Sequence, residues 1–270
     1  MTPWARPETL VRSQSPMTSP SRSLLFLLAF GLAALVPSTP AEAAPVYELR
    51  TYTTLPGRLD AMLARFRDHT CKLFEKHGMV NVGYWVPLDA KDGAGDKLIY
   101  LLEYPSREAA TASWKAFGAD PDWQKARTAS EVSGKIVAKV ESVFLAATDF
   151  SPALKSGGSG RVFEMRTYTT PPGKLANLDA RFRNHTTKLF EGHGMTNVIY
   201  LHATDADKGA GNTLLYFMAY PSRDAATKAW ADFRANPIWL KAKSASETEG
   251  ALTTKVESVY LAPVDFSKLK

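Results

Sequence analysis

Tyr47-Glu48-Leu49-Arg50-Thr51-Tyr52-Thr53-Thr54, followed by Leu55-Pro56-Gly57 and an amphipathic run ending at His77-Gly78, decides the fold because the chain contains it twice. Phe163-Glu164-Met165-Arg166-Thr167-Tyr168-Thr169-Thr170, then Pro171-Pro172-Gly173 and a run ending at His193-Gly194, form the second copy 116 positions later. The offset holds without a gap. His69 matches His185, Tyr104-Pro105-Ser106-Arg107 matches Tyr220-Pro221-Ser222-Arg223, and Val140-Glu141-Ser142-Val143 matches Val256-Glu257-Ser258-Val259. A unit of about a hundred residues is domain-sized, longer than the roughly 20–50 residue period of a solenoid. The expected organisation is a first domain over 44–150, a linker over 151–161 and a second domain over 162–268. Ser156-Gly157-Gly158-Ser159-Gly160 gives that linker a flexible composition.

Within each unit the order reads strand, helix, strand, strand, helix, strand. The first strand alternates, Tyr47, Leu49 and Thr51 on one face and Glu48, Arg50 and Tyr52 on the other. Pro56-Gly57 marks a turn, and Leu59, Met62, Leu63, Phe66, Leu73 and Phe74 form one apolar stripe of a helix that runs to about His77. Asn81–Pro87 and Lys97–Tyr104 read as a hairpin around a Gly-rich loop. Ser106 is the expected cap of the second helix, and Asp120-Pro121 restarts it. Lys135–Ala146 holds the last strand. This βαββαβ order is the ferredoxin-like arrangement. Its helices cover one sheet face, and the other, read here as carrying Leu98, Tyr100 and Leu102, is too apolar to stay wet. The fold class is therefore α+β: two tandem ferredoxin-like units whose sheets close into a pseudo-dimeric α+β barrel with helices outside.

With 33 Lys+Arg against 27 Asp+Glu the formal charge is +6, and the basic residues are spread along both repeats. No basic stripe or nucleic-acid module is visible, so no nucleic-acid partner is expected. Arg22, the apolar run Leu24 to Val36, Pro37 and Ala41-Glu42-Ala43 have the pattern of a cleavable export signal over 1–43, and Met17 as initiator would give an ordinary signal length. The run is shorter than the about 20 residues of a membrane span, so no stable membrane insertion is expected after cleavage. The expected location is periplasmic or secreted. The single Cys71 permits no intramolecular disulfide. The expected assembly is a monomer with an internal pseudo-dimer, or a higher homo-oligomer.

Tyr47-Glu48-Leu49-Arg50-Thr51-Tyr52-Thr53, Pro56-Gly57, His77-Gly78, Gly83-Tyr84-Trp85 and Asp120-Pro121-Asp122-Trp123 resemble the NIPSNAP family, once per half. The resemblance implies the dimeric α+β barrel superfamily, which also holds haem-degrading monooxygenases, chlorite dismutase-like proteins and cofactor-free small oxygenases. Fold membership does not transfer chemistry. The family pattern Asn-x-x-x-His-x-Trp on the third strand is altered here. The first copy has Asp96, Tyr100 and Leu102, and the second has Asn212, Tyr216 and Met218, so tyrosine replaces the histidine in both.

The candidate ligand-binding residues are Arg50, Tyr52, His77, Trp85 and Tyr100 with Arg166, Tyr168, His193 and Tyr216. Arg50, Tyr52, Arg166 and Tyr168 are read as projecting into the barrel. A buried arginine needs an anion: either Glu48 or Glu141, or the carboxylate or phosphate of a ligand. Trp85 and Tyr100 lie on the hairpin strands, and the second copy has Leu201 at the position of Trp85, so a ligand site could occupy one half alone. His69 and His77 are eight residues apart, about 12 Å along a helix at about 1.5 Å per residue, too far to share one ion. No metal and no cofactor are expected. Trp114, Trp123, Trp230 and Trp239 read as core, and Cys71 as an inert thiol.

The reading that results is an exported protein binding a small anionic or aromatic ligand in or at the rim of the barrel. The alternatives are a small oxygenase- or isomerase-like enzyme, and a protein-interaction module without catalysis. N-terminal sequencing of the protein from its native host should find Ala44 first; a protein that retains Leu24–Val36 would contradict the export reading.

Overall fold

The computed structural model describes residues 44–155, 157 and 161–270. The expected signal and cleavage point in 1–43, and Ser156 and 158–160 of the linker, lie outside the described residues. The first unit comprises β1 (Val46–Thr54), α1 (Leu59–Arg65), a π-helical turn (Phe66–Thr70), α2 (Cys71–Lys76), β2 (Val80–Pro87), β3 (Lys97–Tyr104), α3 (Arg107–Ala119), α4 (Pro121–Ser130) and β4 (Val137–Ala147). The second unit repeats it: β5 (Val162–Thr169), α5 (Leu175–Arg181), a π-helical turn (Phe182–Thr186), α6 (Thr187–Gly192), β6 (Thr196–Ala203), β7 (Thr213–Tyr220), α7 (Arg223–Ala235), α8 (Pro237–Ser246) and β8 (Lys255–Pro263).

Local chemistry fixes the boundaries. The Ser106 hydroxyl accepts the Ala109 N–H at 3.1 Å and starts α3. Asp120 accepts the Asp122 N–H at 2.8 Å, with Pro121 at the first position of α4. Gly78, at φ 78°, takes the left-handed turn that ends α2. The expected continuous first helix is interrupted in both copies. Thr70 Oγ1 donates to the Arg65 carbonyl at 3.1 Å, and Thr186 does the same to Arg181 at 3.1 Å, a reach of five residues that accompanies the π turn.

The strands close in the order β1-β3-β2-β8-β5-β7-β6-β4, every pairing antiparallel. Each unit keeps the ferredoxin-like order. The units are stitched at two related seams, β2 on β8 (Trp85↔Pro263) and β4 on β6 (Leu145↔Ala203). Bidentate pairs bridge the halves outside the barrel: Arg67 with Asp265, Arg183 with Asp149, and Arg107 with Asp205. They are exposed and screened by solvent, so they orient the halves more than they stabilise them.

The barrel interior is an apolar core shared by both units. Tyr47, Leu49, Trp85, Ile99 and Leu101 interlock with Phe163, Ile199, Leu201, Leu215 and Phe217. This reverses the expected facing. Leu98, Tyr100 and Leu102 pack outward against Met62, Phe66 and Phe74 of the helical layer, and Glu48, Arg50 and Tyr52 share that outward face. The physical reason is that β3 is apolar on both sides, so its alternation does not choose a face. The polar side of β1 goes where α3 can supply hydrogen-bond donors, which the strand-only interior does not offer.

The interior breaks the two-fold pattern at one place. Trp85 is fully buried, with its ring centroid 4.9 Å from that of Phe217 and 5.6 Å from that of Phe163. Its ring lies over Gly83, where an added Cβ would sit 2.3 Å from it. The second unit fills the matching positions with Ile199 and Leu201. Gly83→Ala should therefore cost about 1–3 kcal/mol by overpacking. Combined with Trp85→Leu it should cost clearly less than the sum of the two single changes in urea denaturation; additive costs would contradict this contact.

Candidate functional site

On the outward face of each sheet a carboxylate is buried inside a cage of donors. Glu48 accepts hydrogen bonds from Arg50 Nη1, Tyr104 (2.8 Å), Trp114 Nε1 (2.7 Å) and Ser142 (2.5 Å). Glu164 repeats this with Arg166, Tyr220 (2.6 Å), Trp230 (2.7 Å) and Ser258 (2.5 Å). β1 places the acid and arginine two residues apart on one face, β3 and β4 bring the tyrosine and serine, and α3 lowers the indole from above. Four donors to one carboxylate replace the water lost on burial.

The arginines are held just as closely. Arg50 lies 4.1 Å from the Trp114 ring centre and donates through Nε to Tyr100 (3.1 Å) and through Nη2 to Tyr52 (3.4 Å). Arg166 lies 4.2 Å from the Trp230 ring centre and donates to Tyr168 at 3.3 Å. Burial opposes the charge on both, but the flanking tyrosines and the glutamate outweigh it and hold each guanidinium protonated. Burial also pushes the Tyr100 and Tyr216 hydroxyls well above the ordinary phenol range, so they stay neutral. Of the two partners left open by the sequence, the structural one is present: Glu48 takes Arg50, while Glu141 pairs with Lys139 on the surface.

The structure brings Arg50, Tyr52 and Tyr100 together, and Arg166, Tyr168 and Tyr216, but facing the helices rather than the barrel. Trp85 lies on the opposite sheet face, inside the core. His77 closes α2, its Nε2 2.6 Å from Asp120, and His193 meets Asn236 at 3.0 Å, both apart from the arginines. Lys76 and then His77 hold the Asp120 carboxyl below its usual range through hydrogen bonds. The Cys71 thiol is pushed up to about 11 by burial, so it stays protonated.

Residues that the sequence assigned to plain core also belong here. Trp114 and Trp230 are donors and stacking platforms, and a second buried arginine, Arg65 or Arg181, pairs with Glu131 (3.2 Å) or Glu247 (2.7 Å). The signal for the latter was an arginine on the apolar stripe of the first helix, repeated in both copies. In the second half a cavity of about 150 Å³ opens between β5, β8 and the helices. Tyr168, Phe182, Phe190, Phe233 and Trp239 wall it, the π turn contributes Thr186, and Lys243, Glu247 and Thr253 reach its polar side. Beside it the Arg166 Nε and the Tyr216 hydroxyl have no hydrogen-bond partner among the described residues.

Two βαββαβ units closed on each other, with polar clusters between sheet and helices, define a dimeric α+β barrel protein in tandem form. The NIPSNAP family profile matches residues 47–152 and 163–268, and the chain belongs to that family. The protein NipSnap homolog of Dictyostelium discoideum is 25% identical over 235 residues, covering 83% of this chain and 90% of that protein. In fold the chain is similar to a monooxygenase-like protein from Lactobacillus acidophilus, with a TM-score of 0.53 and 12% identity over 82% of this chain and 94% of that one. It is also similar to an anthrone oxidase-like protein, with a TM-score of 0.52 and 12% identity over 85% of this chain and 95% of that one. Among the described residues no helix is long and apolar enough to cross a membrane.

If the arginine is structural, Arg50→Met strands a buried carboxylate and should lower stability by about 3–5 kcal/mol. Arg50→Lys should lose less, keeping the charge but not the forked geometry. Urea denaturation of both variants checks this; an unchanged midpoint for Arg50→Met would remove the pair from its structural role.

Proposed function

We propose that this NIPSNAP protein binds a small anionic aromatic molecule, and that the site is the sheet–helix cavity of the second half rather than the barrel interior. The observation that carries the reading is the cavity itself: about 150 Å³, with five aromatic side chains in its walls and a cation at its polar edge. Small-molecule sites combine apolar walls with a few placed polar groups in about 300–1,000 Å³, and this smaller volume suits a ligand of a single ring. Arg181 and Glu247 neutralise each other, which leaves Lys243 as the net charge; it makes no ion pair among the described residues.

The first half is not equivalent. At the positions of Lys243 and Thr253 it carries Arg127 and Val137, and Arg127 is 3.6 Å from Glu131. One half thus commits its cation to a neighbour and replaces a hydroxyl by a methyl, which supports a single site per chain. The neutral phenols on the outward face suit recognition better than proton abstraction, so binding is favoured over an oxygenase- or isomerase-type reaction. Export is part of the same reading and rests on the leader pattern of residues 1–43. A periplasmic or secreted binder would meet small solutes directly.

Benzoate and phenylacetate are suitable probes, one ring with one carboxylate. Isothermal titration should give saturable binding at one site per chain. Lys243→Arg with Thr253→Val, which copies the first half, should reduce affinity at least about tenfold, the equivalent of about 1.4 kcal/mol, with the melting point held. Absence of binding by either probe, or binding unaffected by the double change, would overturn this assignment.

A further inference from the structure

β4 and β8 each leave half of one side unpaired. β4 lies on β1 from Val137 to Ala146, but β6 meets it only at Leu145–Ala147. β8 lies on β5 from Lys255 to Leu261, but β2 meets it only at Leu261–Pro263. Beyond those seams the Phe144 carbonyl accepts the Thr204 N–H at 3.0 Å, and the Tyr260 carbonyl accepts the Leu88 N–H at 2.9 Å. Both carbonyls therefore point away from β1 and β5. In an antiparallel strand the N–H and C=O of one residue point to the same side, and the side alternates along the chain. The register is regular from Lys139 to Ala146 and from Lys255 to Leu261. Val140 and Ser142, with Val256 and Ser258, consequently aim their backbone groups outward as well. Among the described residues no hydrogen bond reaches those groups of Val140 or Val256. The two valines are 43% and 47% exposed.

The sequence around each open position is Lys-Val-Glu, at 139–141 and again at 255–257. Read against itself in the antiparallel sense, Lys-Val-Glu is complementary: valine faces valine and each lysine faces a glutamate. Opposite charges directly across an antiparallel pair stabilise it, and like charges destabilise it. An edge guarded only against pairing is served by charges of one sign, which repel a copy of themselves. Here the signs are mixed in the order that a copy would satisfy. Within the chain Lys139 and Glu141 contact each other at 2.8 Å, as do Lys255 and Glu257 at 2.8 Å, so both partners are extended on one face and ready to exchange.

We propose that these two edges are self-complementary docking strands on which a second copy of the chain pairs antiparallel, valine opposite valine. The assembly is weak and salt-sensitive, because its specificity comes from exposed charges.

Sedimentation of the purified protein over a concentration series tests this. The expected result is a mass that rises above that of the single chain with concentration, and less so in high salt. Lys139→Glu together with Lys255→Glu makes both edges Glu-Val-Glu and should raise the dissociation constant about tenfold or more. Adding Glu141→Lys and Glu257→Lys rebuilds a complementary Glu-Val-Lys edge and should restore association. Circular dichroism confirms the fold in each variant. A single-chain mass at every concentration, association untouched by the double glutamate change, or no rescue by the four-fold swap would overturn the proposal.

Discussion

The constraint on which this molecule depends is that a four-stranded sheet with helices on one side has a second apolar face to bury. Each βαββαβ unit meets it with the other unit. Tyr47, Leu49 and Trp85 from one half and Phe163, Phe217 and Leu261 from the other fill a common interior. Neither face is a surface in the folded chain, so each unit's stability rests on its partner, and covalent tandem linkage removes the concentration dependence of a true dimer. With the interior filled by these side chains, the charged clusters lie on the outer face of the sheet. That is where the two carboxylate cages, the buried arginine pairs and the aromatic cavity are found.

The duplication left two halves with the same order of elements and many differing side chains. The carboxylate cages are preserved donor for donor in both halves, which fits a structural duty common to each unit. The differences fall elsewhere. Gly83 and Trp85 of the first half correspond to Ile199 and Leu201 of the second, so the halves fill the shared interior with different side chains and are not interchangeable. Asp120, bonded to His77, becomes Asn236, bonded to His193. Arg127 and Val137 become Lys243 and Thr253 beside the cavity. A site that differs between copies, on a frame that does not, is the pattern expected where one copy has specialised.

Much of this was legible in the residues. The ungapped repeat and the βαββαβ order led to the barrel, and Ser106, Asp120-Pro121 and Gly78 marked their boundaries by cap and turn chemistry. The facing of the sheet was not legible. β3 is apolar at Leu98, Tyr100 and Leu102 and equally at Ile99 and Leu101, so alternation gave no preference. What decides it is the Trp114 indole donor to Glu48, a contact between residues 66 positions apart. The π turns were hidden for a different reason: the residues of Phe66–Thr70 are ordinary helix formers, and the extra residue shows only as a shift in the buried stripe. The Arg50–Glu48 pair was readable from spacing on one strand face, but whether a ligand would displace the glutamate depended on donors from three other elements.

Native-state hydrogen exchange tests the shared interior most directly. The amides of β1 and β3 and those of β5 and β7 should exchange through one common opening whose free energy equals that of global unfolding, because neither sheet retains a buried face without the other. If one unit's strands exchange through an opening of distinctly lower free energy while the other stays protected, the halves are independent domains, and the account of a single interdependent barrel is wrong.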